Sequence, residues 1–236
     1  MAAYASGQPL EDAMVVQHTT LVAALKHTAS VSPSPNGITY VDGGSTSLES
    51  YSELLLHSQK TLLGLLELNL DEGDALVLQI VSRRDHFHVF WACLLRGIIP
   101  VTVAIPSQYE ATNAVVLKLM STIRQLDARN VMASSTNTEM IRMLLPVHVQ
   151  AHDVELLPLD LQQGADDELE AKITPQHVAF YQLTSGSTGT PKVIPERHDA
   201  IISHIRHSAS HCSYASTGLT RHQMQRTHRT SPRTIC

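Results

Sequence analysis

Cysteine is scarce in this chain. Cys93, Cys212 and Cys236 are the three in 236 residues, too few and too scattered for a disulfide framework. Cys93 stands in an apolar run and reads as a buried small hydrophobe; a reducing, cytoplasmic setting fits. Long hydrophobic runs are missing too. The longest, residues 89–95 and 98–105, are divided by Arg96 and fall short of the roughly 20 residues needed to cross a bilayer. The N-terminus has no basic stretch followed by an apolar core, so no signal peptide is expected. No internal repeat is visible. Acidic residues vanish after Asp199: all 22 lie at or before it, with twelve of the 17 Lys and Arg. Residues 1–199 thus carry a net −10 and residues 200–236 a net +5, a polarity that can signal a basic interaction tail.

Several well-defined motifs are likewise absent. There is no Gly-x4-Gly-Lys-Ser/Thr loop, no three-glycine dinucleotide fingerprint and no nucleophile elbow. What is present is Thr184-Ser185-Gly186-Ser187-Thr188-Gly189, followed by Thr190-Pro191-Lys192. It comes directly after an apolar run, residues 178–183, that reads as a buried strand. Gly186 and Gly189 carry no Cβ, so backbone N–H groups can turn inward and approach closely. Thr184, Ser185, Ser187 and Thr188 add hydroxyl donors, and Lys192 adds a point charge suited to phosphate. A loop of this chemistry fixed to a strand end suits the wrapping of a polyphosphate. A flexible Gly/Ser linker is the bland alternative, but a linker needs neither the strand before it nor the Pro-Lys after it.

Elsewhere strand and helix signals alternate. A helix is expected over residues 13–25 and a break at 32–37. A strand at 38–41 is followed by a helix over 51–68, opened by a Ser50/Glu53 capping box. A strand at 75–80, a helix over 84–95 ended by Gly97, and a strand at 99–103 come next. Helices over 111–126 and 138–145 flank a strand at 130–133. A short strand is expected at 154–157, an acidic loop over 160–172, the strand before the hydroxyl-rich loop, and a last helix from Ala200 to about Ser208, capped by Asp199. This order argues for an α/β fold with a mostly parallel sheet flanked by helices. His86 and His88 read as ordinary surface or partly buried side chains. His204, His207 and His211 share one helix face, but no Cys or carboxylate completes a metal site beside them, so no metal ligand is assigned. Asp166-Asp167-Glu168 reads as a solvated loop.

The string from Thr184 to Lys192 resembles the phosphate-loop signature of the adenylate-forming, or AMP-binding, superfamily. Residues 90–101, Phe-Trp-Ala-Cys-Leu-Leu-Arg-Gly-Ile-Ile-Pro-Val, resemble its early core segment, and Tyr51-Ser52-Glu53-Leu54 its first helix. Pro195 to Ile205 are similar to adenylation domains of fungal nonribosomal-peptide-synthetase-like enzymes. The resemblance implies a partial adenylate-forming N-terminal domain over residues 35–212, preceded by an arm, 1–34. It also implies ATP-dependent activation of a small-molecule carboxylic acid to an acyl-adenylate with release of pyrophosphate, and Mg2+ as cofactor. As acceptor it implies a carrier-protein thiol or coenzyme A. By resemblance Thr184, Ser185, Gly186, Ser187, Thr188 and Gly189 hold the β- and γ-phosphates of ATP, with Lys192 adding charge; no catalytic residue is assigned. Residues 213–236 depart from the pattern and read as an irregular basic tail. We expect a non-native continuation there, in a truncated chain that is inactive alone. Two other readings stay open: a catalytically dead remnant that holds nucleotide weakly, and a phosphate-binding module with a basic interaction tail.

Overall fold

The computed structural model describes residues 18–31, 36–42, 44–156, 170–184 and 191–211, side chains excepted at 209–211. The chain divides into two compact units, residues 18–199 and the two terminal segments 1–17 and 200–236.

The first unit opens with helix α1, Leu21–Val31. Residues 13–17 of the expected helix lie outside the described residues; Thr20 caps α1, its hydroxyl accepting from the Ala23 N–H at 3.1 Å. A two-stranded antiparallel hairpin follows, β1 Gly37–Asp42 and β2 Ser45–Ser50. β2 was not anticipated. Its sequence, Ser-Thr-Ser-Leu-Glu-Ser, has no apolar alternation, and only Glu49 in it is buried. The predicted capping box is present. Ser50 Oγ accepts from the Glu53 N–H at 3.2 Å and Glu53 Oε2 from the Ser50 N–H at 2.8 Å, which starts α2, Tyr51–Leu66.

The larger sheet has six strands: β3 Ala75–Gln79, β4 Ile99–Thr102, β5 Asn130–Ala133, β6 Gln150–Asp153, β7 Val178–Thr184 and β8 Lys192–Arg197. Their order is β6-β5-β3-β4-β7-β8, parallel except for β8, which runs antiparallel to β7. The helices between them are α3 Arg83–Arg96, α4 Ala114–Leu126 and α5 Ser135–Leu144. The strand expected at 154–157 lies earlier, at β6, and residues Val154–Leu156 form a single 3-10 turn. The acidic-loop expectation at 160–172 falls largely outside the described residues.

Alternation along the strands builds a core on each sheet face. Leu76, Leu78, Ile80 and Met132 pack with Leu62 and Leu65 of α2 and with Val89, Ala92, Cys93 and Leu95 of α3. Val77, Val101, Val131 and Ala133 pack with Leu119 and Ile123 of α4 and Ile141 of α5. Gly97 ends α3 in the left-handed conformation, φ 77°, where a side chain is strained. Gln79 is fully buried and fully satisfied: its amide nitrogen donates to Val103 O and Ala104 O at 2.9 and 2.8 Å, and its Oε1 accepts from the Tyr109 hydroxyl at 2.8 Å. The described part of the second unit is helical, contributed by α6, His198–His211, whose first two residues belong to the first unit. No described helix is long and apolar enough to cross a membrane.

Candidate functional site

The hydroxyl-rich segment joins β7 to β8. Thr184 ends β7, Lys192 begins β8, and the two are cross-strand partners. The intervening residues are therefore closed at their base by a backbone pair, whose Cα atoms in any antiparallel ladder lie about 5 Å apart. Of the seven residues expected to bind phosphate, Thr184 and Lys192 are placed, while Ser185, Gly186, Ser187, Thr188 and Gly189 lie outside the described residues.

The sheet fixes where this base sits. β7 runs parallel to β4, with Tyr181 opposite Val101, and β4 runs parallel to β3. Thr184 is thus at the carboxyl end of a parallel sheet, the edge on which open α/β sheets hold their ligands. The Thr184 side chain is half-buried and Lys192 is exposed, so the ammonium group is free to meet a solvated anion. Pro191 is buried. Its carbonyl accepts from Gln125 Nε2 at 3.2 Å, and that same amide donates to Ser121 Oγ at 3.0 Å. Gln125, in the last turn of α4, therefore holds the exit of the loop. Sequence reasoning did not find it, because a contact spanning 66 residues leaves no local signal.

Beyond β8 the chain is pinned again. Arg197 Nε and a terminal nitrogen donate to the two carboxylate oxygens of Asp199 at 3.0 and 2.7 Å. His198 is 1% exposed and its Nδ1 accepts from the Leu21 N–H at 3.1 Å, tying α1 to the end of the β7–β8 hairpin. Burial pulls the His198 pKa down to about 4, with His177 pushing the same way and Asp199 opposing, so the ring is neutral and serves as an acceptor. His204, His207 and His211 all lie on α6, as expected from sequence. His204 and His207 are exposed on α6, the His207 Nδ1 donates to Ser203 O at 2.7 Å, and the His211 side chain lies outside the described residues. Asp166, Asp167 and Glu168 lie outside them as well. His88, read from sequence as ordinary, is buried against Glu49.

The segment thus leaves and re-enters the sheet at its carboxyl edge, and the comparison with known proteins gives the family. The AMP-binding enzyme family matches residues 26–227. The chain belongs to the AMP-binding enzyme family. Among its relatives in that family is the 2,3-dihydroxybenzoate-AMP ligase of Bacillus subtilis, 27% identical over 169 residues that make up 69% of this chain and 31% of the ligase. Another is the nonribosomal peptide synthetase atrA of Aspergillus terreus, 29% identical over 162 residues, 66% of this chain and 16% of the synthetase. Among solved structures, the McyG adenylation–carrier pair complexed with phenylalanyl-adenylate superposes with a TM-score of 0.75 at 27% identity, covering 82% of this chain and 31% of that one. The chain spans about a third of the length of the first relatives that it matches. Its mixed α/β architecture is that of the N-terminal part of an AMP-binding enzyme.

Proposed function

We propose that this chain supplies the phosphate-holding part of an ATP-dependent carboxylate-activating site. The observation that carries the reading is the Thr184–Lys192 pair closing the glycine- and hydroxyl-rich segment at the carboxyl edge of the sheet. The reaction joins a carboxylate oxygen to the α-phosphorus of ATP and breaks the bond to the β-phosphate oxygen, giving an acyl-adenylate and pyrophosphate. Negative charge grows on the departing pyrophosphate, so fixed donors placed there lower the barrier. Thr184, Ser185, Ser187 and Thr188 supply hydroxyls, Gly186 and Gly189 let amide N–H groups close in, and Lys192 contributes positive charge. Two placed features support this reading: the Lys192 side chain is exposed at the end of the segment, and Gln125 holds the Pro191 carbonyl beside it. Mg2+, when bound to ATP, neutralises phosphate oxygens.

The adenylation-type segment is proposed as residues 35–212, with 1–34 an arm and 213–236 a basic extension. The acid is a small molecule, as in the 2,3-dihydroxybenzoate-AMP ligase and the phenylalanyl-adenylate complex among the relatives, and the acceptor a carrier-protein thiol or coenzyme A. We assign the site to the cytoplasm. On its own, this 236-residue chain is proposed to hold nucleotide without completing turnover.

Competition binding tests the reading. MgATP bound to the chain should be displaced by pyrophosphate but not by orthophosphate at the same concentration, since only pyrophosphate mimics the held β/γ pair. Displacement by neither anion would remove the segment from its assigned role.

A further inference from the structure

Three side chains from three elements converge on one buried carboxylate. Glu49 is the penultimate residue of β2 and is 1% exposed. Its Oε2 accepts from the Tyr40 hydroxyl of β1 at 2.7 Å. Its Oε1 lies 2.7 Å from Nδ1 of His57 in α2 and 2.7 Å from Nε2 of His88 in α3. The two imidazole rings are 4.8 Å apart and tilted by 50°, so they meet the carboxylate from different directions rather than stacking flat. One oxygen of Glu49, one nitrogen of His57 and one of His88 all lie within 4.8 Å of one another.

A buried carboxylate needs positive charge or several donors around it. Here both imidazoles must turn an N–H toward the same oxygen, and each then presents its lone pair elsewhere. A cation among the three groups uses the facing lone pairs instead and offsets the charge directly. Tetrahedral coordination at metal–ligand distances of about 2.0–2.1 Å sets donor atoms about 3.3 Å apart. From the present spacing, the carboxylate oxygen would withdraw by roughly half an ångström and the nitrogens would close in, a rotamer-scale adjustment. Two imidazole nitrogens and one carboxylate oxygen suit zinc-class ions and leave a fourth position for water; Mg2+ and Ca2+ prefer all-oxygen sets. Tyr40 holds the carboxylate from behind, as outer partners of metal ligands do. The His57 side chain is 39% exposed, which gives an ion a way in. The frame is stiff, because the Ser50–Glu53 capping box fixes the turn between Glu49 and the helix bearing His57, and α2 packs along α3.

We propose that Glu49, His57 and His88 form a structural binding site for one divalent transition-metal ion of the zinc class, on elements other than those that carry the phosphate loop. The ion joins the β1–β2 hairpin to α2 and α3.

The test uses the untagged 236-residue chain, freed of metal by chelator and titrated with Zn2+, and with Co2+ as a spectroscopic probe. One saturable equivalent of Zn2+ is expected, with a rise in Tm, and Co2+ should give the intense visible absorption of a four-coordinate ion. His57→Asn, chosen because His57 is the most exposed of the three, should abolish the equivalent and the Co2+ band, and Glu49→Gln should do the same. The double variant His204→Asn/His207→Asn should keep both. Circular dichroism confirms folding, and if Glu49→Gln does not fold, His57→Asn decides alone. Absence of a saturable equivalent, or an equivalent that survives His57→Asn, would overturn the proposal and leave these groups a hydrogen-bond network only.

Discussion

At His198, burial and hydrogen bonding have the same consequence: the ring is held neutral, with Nδ1 accepting from the Leu21 N–H. In the unfolded chain an imidazole takes up a proton near pH 6.5, whereas the folded one resists until about 4. The unfolded state therefore binds more protons throughout that window, and stability falls as pH is lowered from 6.5 to 4. The full effect of this one group is about 3 kcal/mol. Urea unfolding at several pH values should show His198→Asn with a shallower loss over this range than the wild type; parallel curves would remove His198 as the cause. Gln79 makes a second prediction at this scale. Gln79→Leu strips partners from the Val103 and Ala104 carbonyls and from Tyr109, and should cost about 2 kcal/mol of unfolding free energy. A loss below about 0.5 kcal/mol would mean that water replaces the amide. Single residues of this kind were not legible in the sequence. Gln79 stands in an apolar strand with no mark of its partners 24 and 25 residues away, and Glu49, His57 and His88 share no motif. The membership of the AMP-binding enzyme family was legible because the residues that carry the resemblance are contiguous in the sequence.

Among elements, those with a strong local signal were found and those made by pairing were not. The Ser50 capping box fixed the start of α2, and Gly97 fixed the end of α3. β2 and β6, Gln-Ala-His-Asp, have no period to read; β2 is a strand because Gly37 to Asp42 lie opposite it, and β6 because β5 does. Residues 13–17 of the helix expected at 13–25 lie outside the described residues; within them α1 begins after the Thr20 cap and runs on to Val31. β8 is an edge strand among the described residues, and it carries Pro195, which cannot donate to a further strand. Its charged ends, Lys192 and Arg197, also discourage pairing with other chains. Gly97→Ala should destabilise the protein by about 1 kcal/mol or more, since it places a Cβ at positive φ and 2.8 Å from Glu72 Cγ. Thermal unfolding checks this; an unchanged Tm would show that the turn relaxes.

For the molecule as a whole, a core on each face of the sheet supports the α/β reading made from alternating strand and helix signals. The antiparallel return of β8 was not legible, because antiparallel pairing follows from the closed loop before it rather than from any pattern in Lys-Val-Ile-Pro-Glu-Arg. The chain spans about a third of the length of the first relatives that it matches, and we predict that alone it gives no acid-dependent exchange of labelled pyrophosphate into ATP. Exchange above background with any carboxylic acid would contradict that. The central claim is narrower: the segment closed by Thr184 and Lys192 grips the terminal phosphates of ATP. Calorimetric titration of wild type and Lys192→Ala with MgATP and with AMP tests it most directly. The substitution should weaken MgATP binding roughly tenfold or more and leave binding of AMP, which has no β- or γ-phosphate, unchanged. Equal MgATP affinity in the two proteins, or equal losses for both nucleotides, would contradict it.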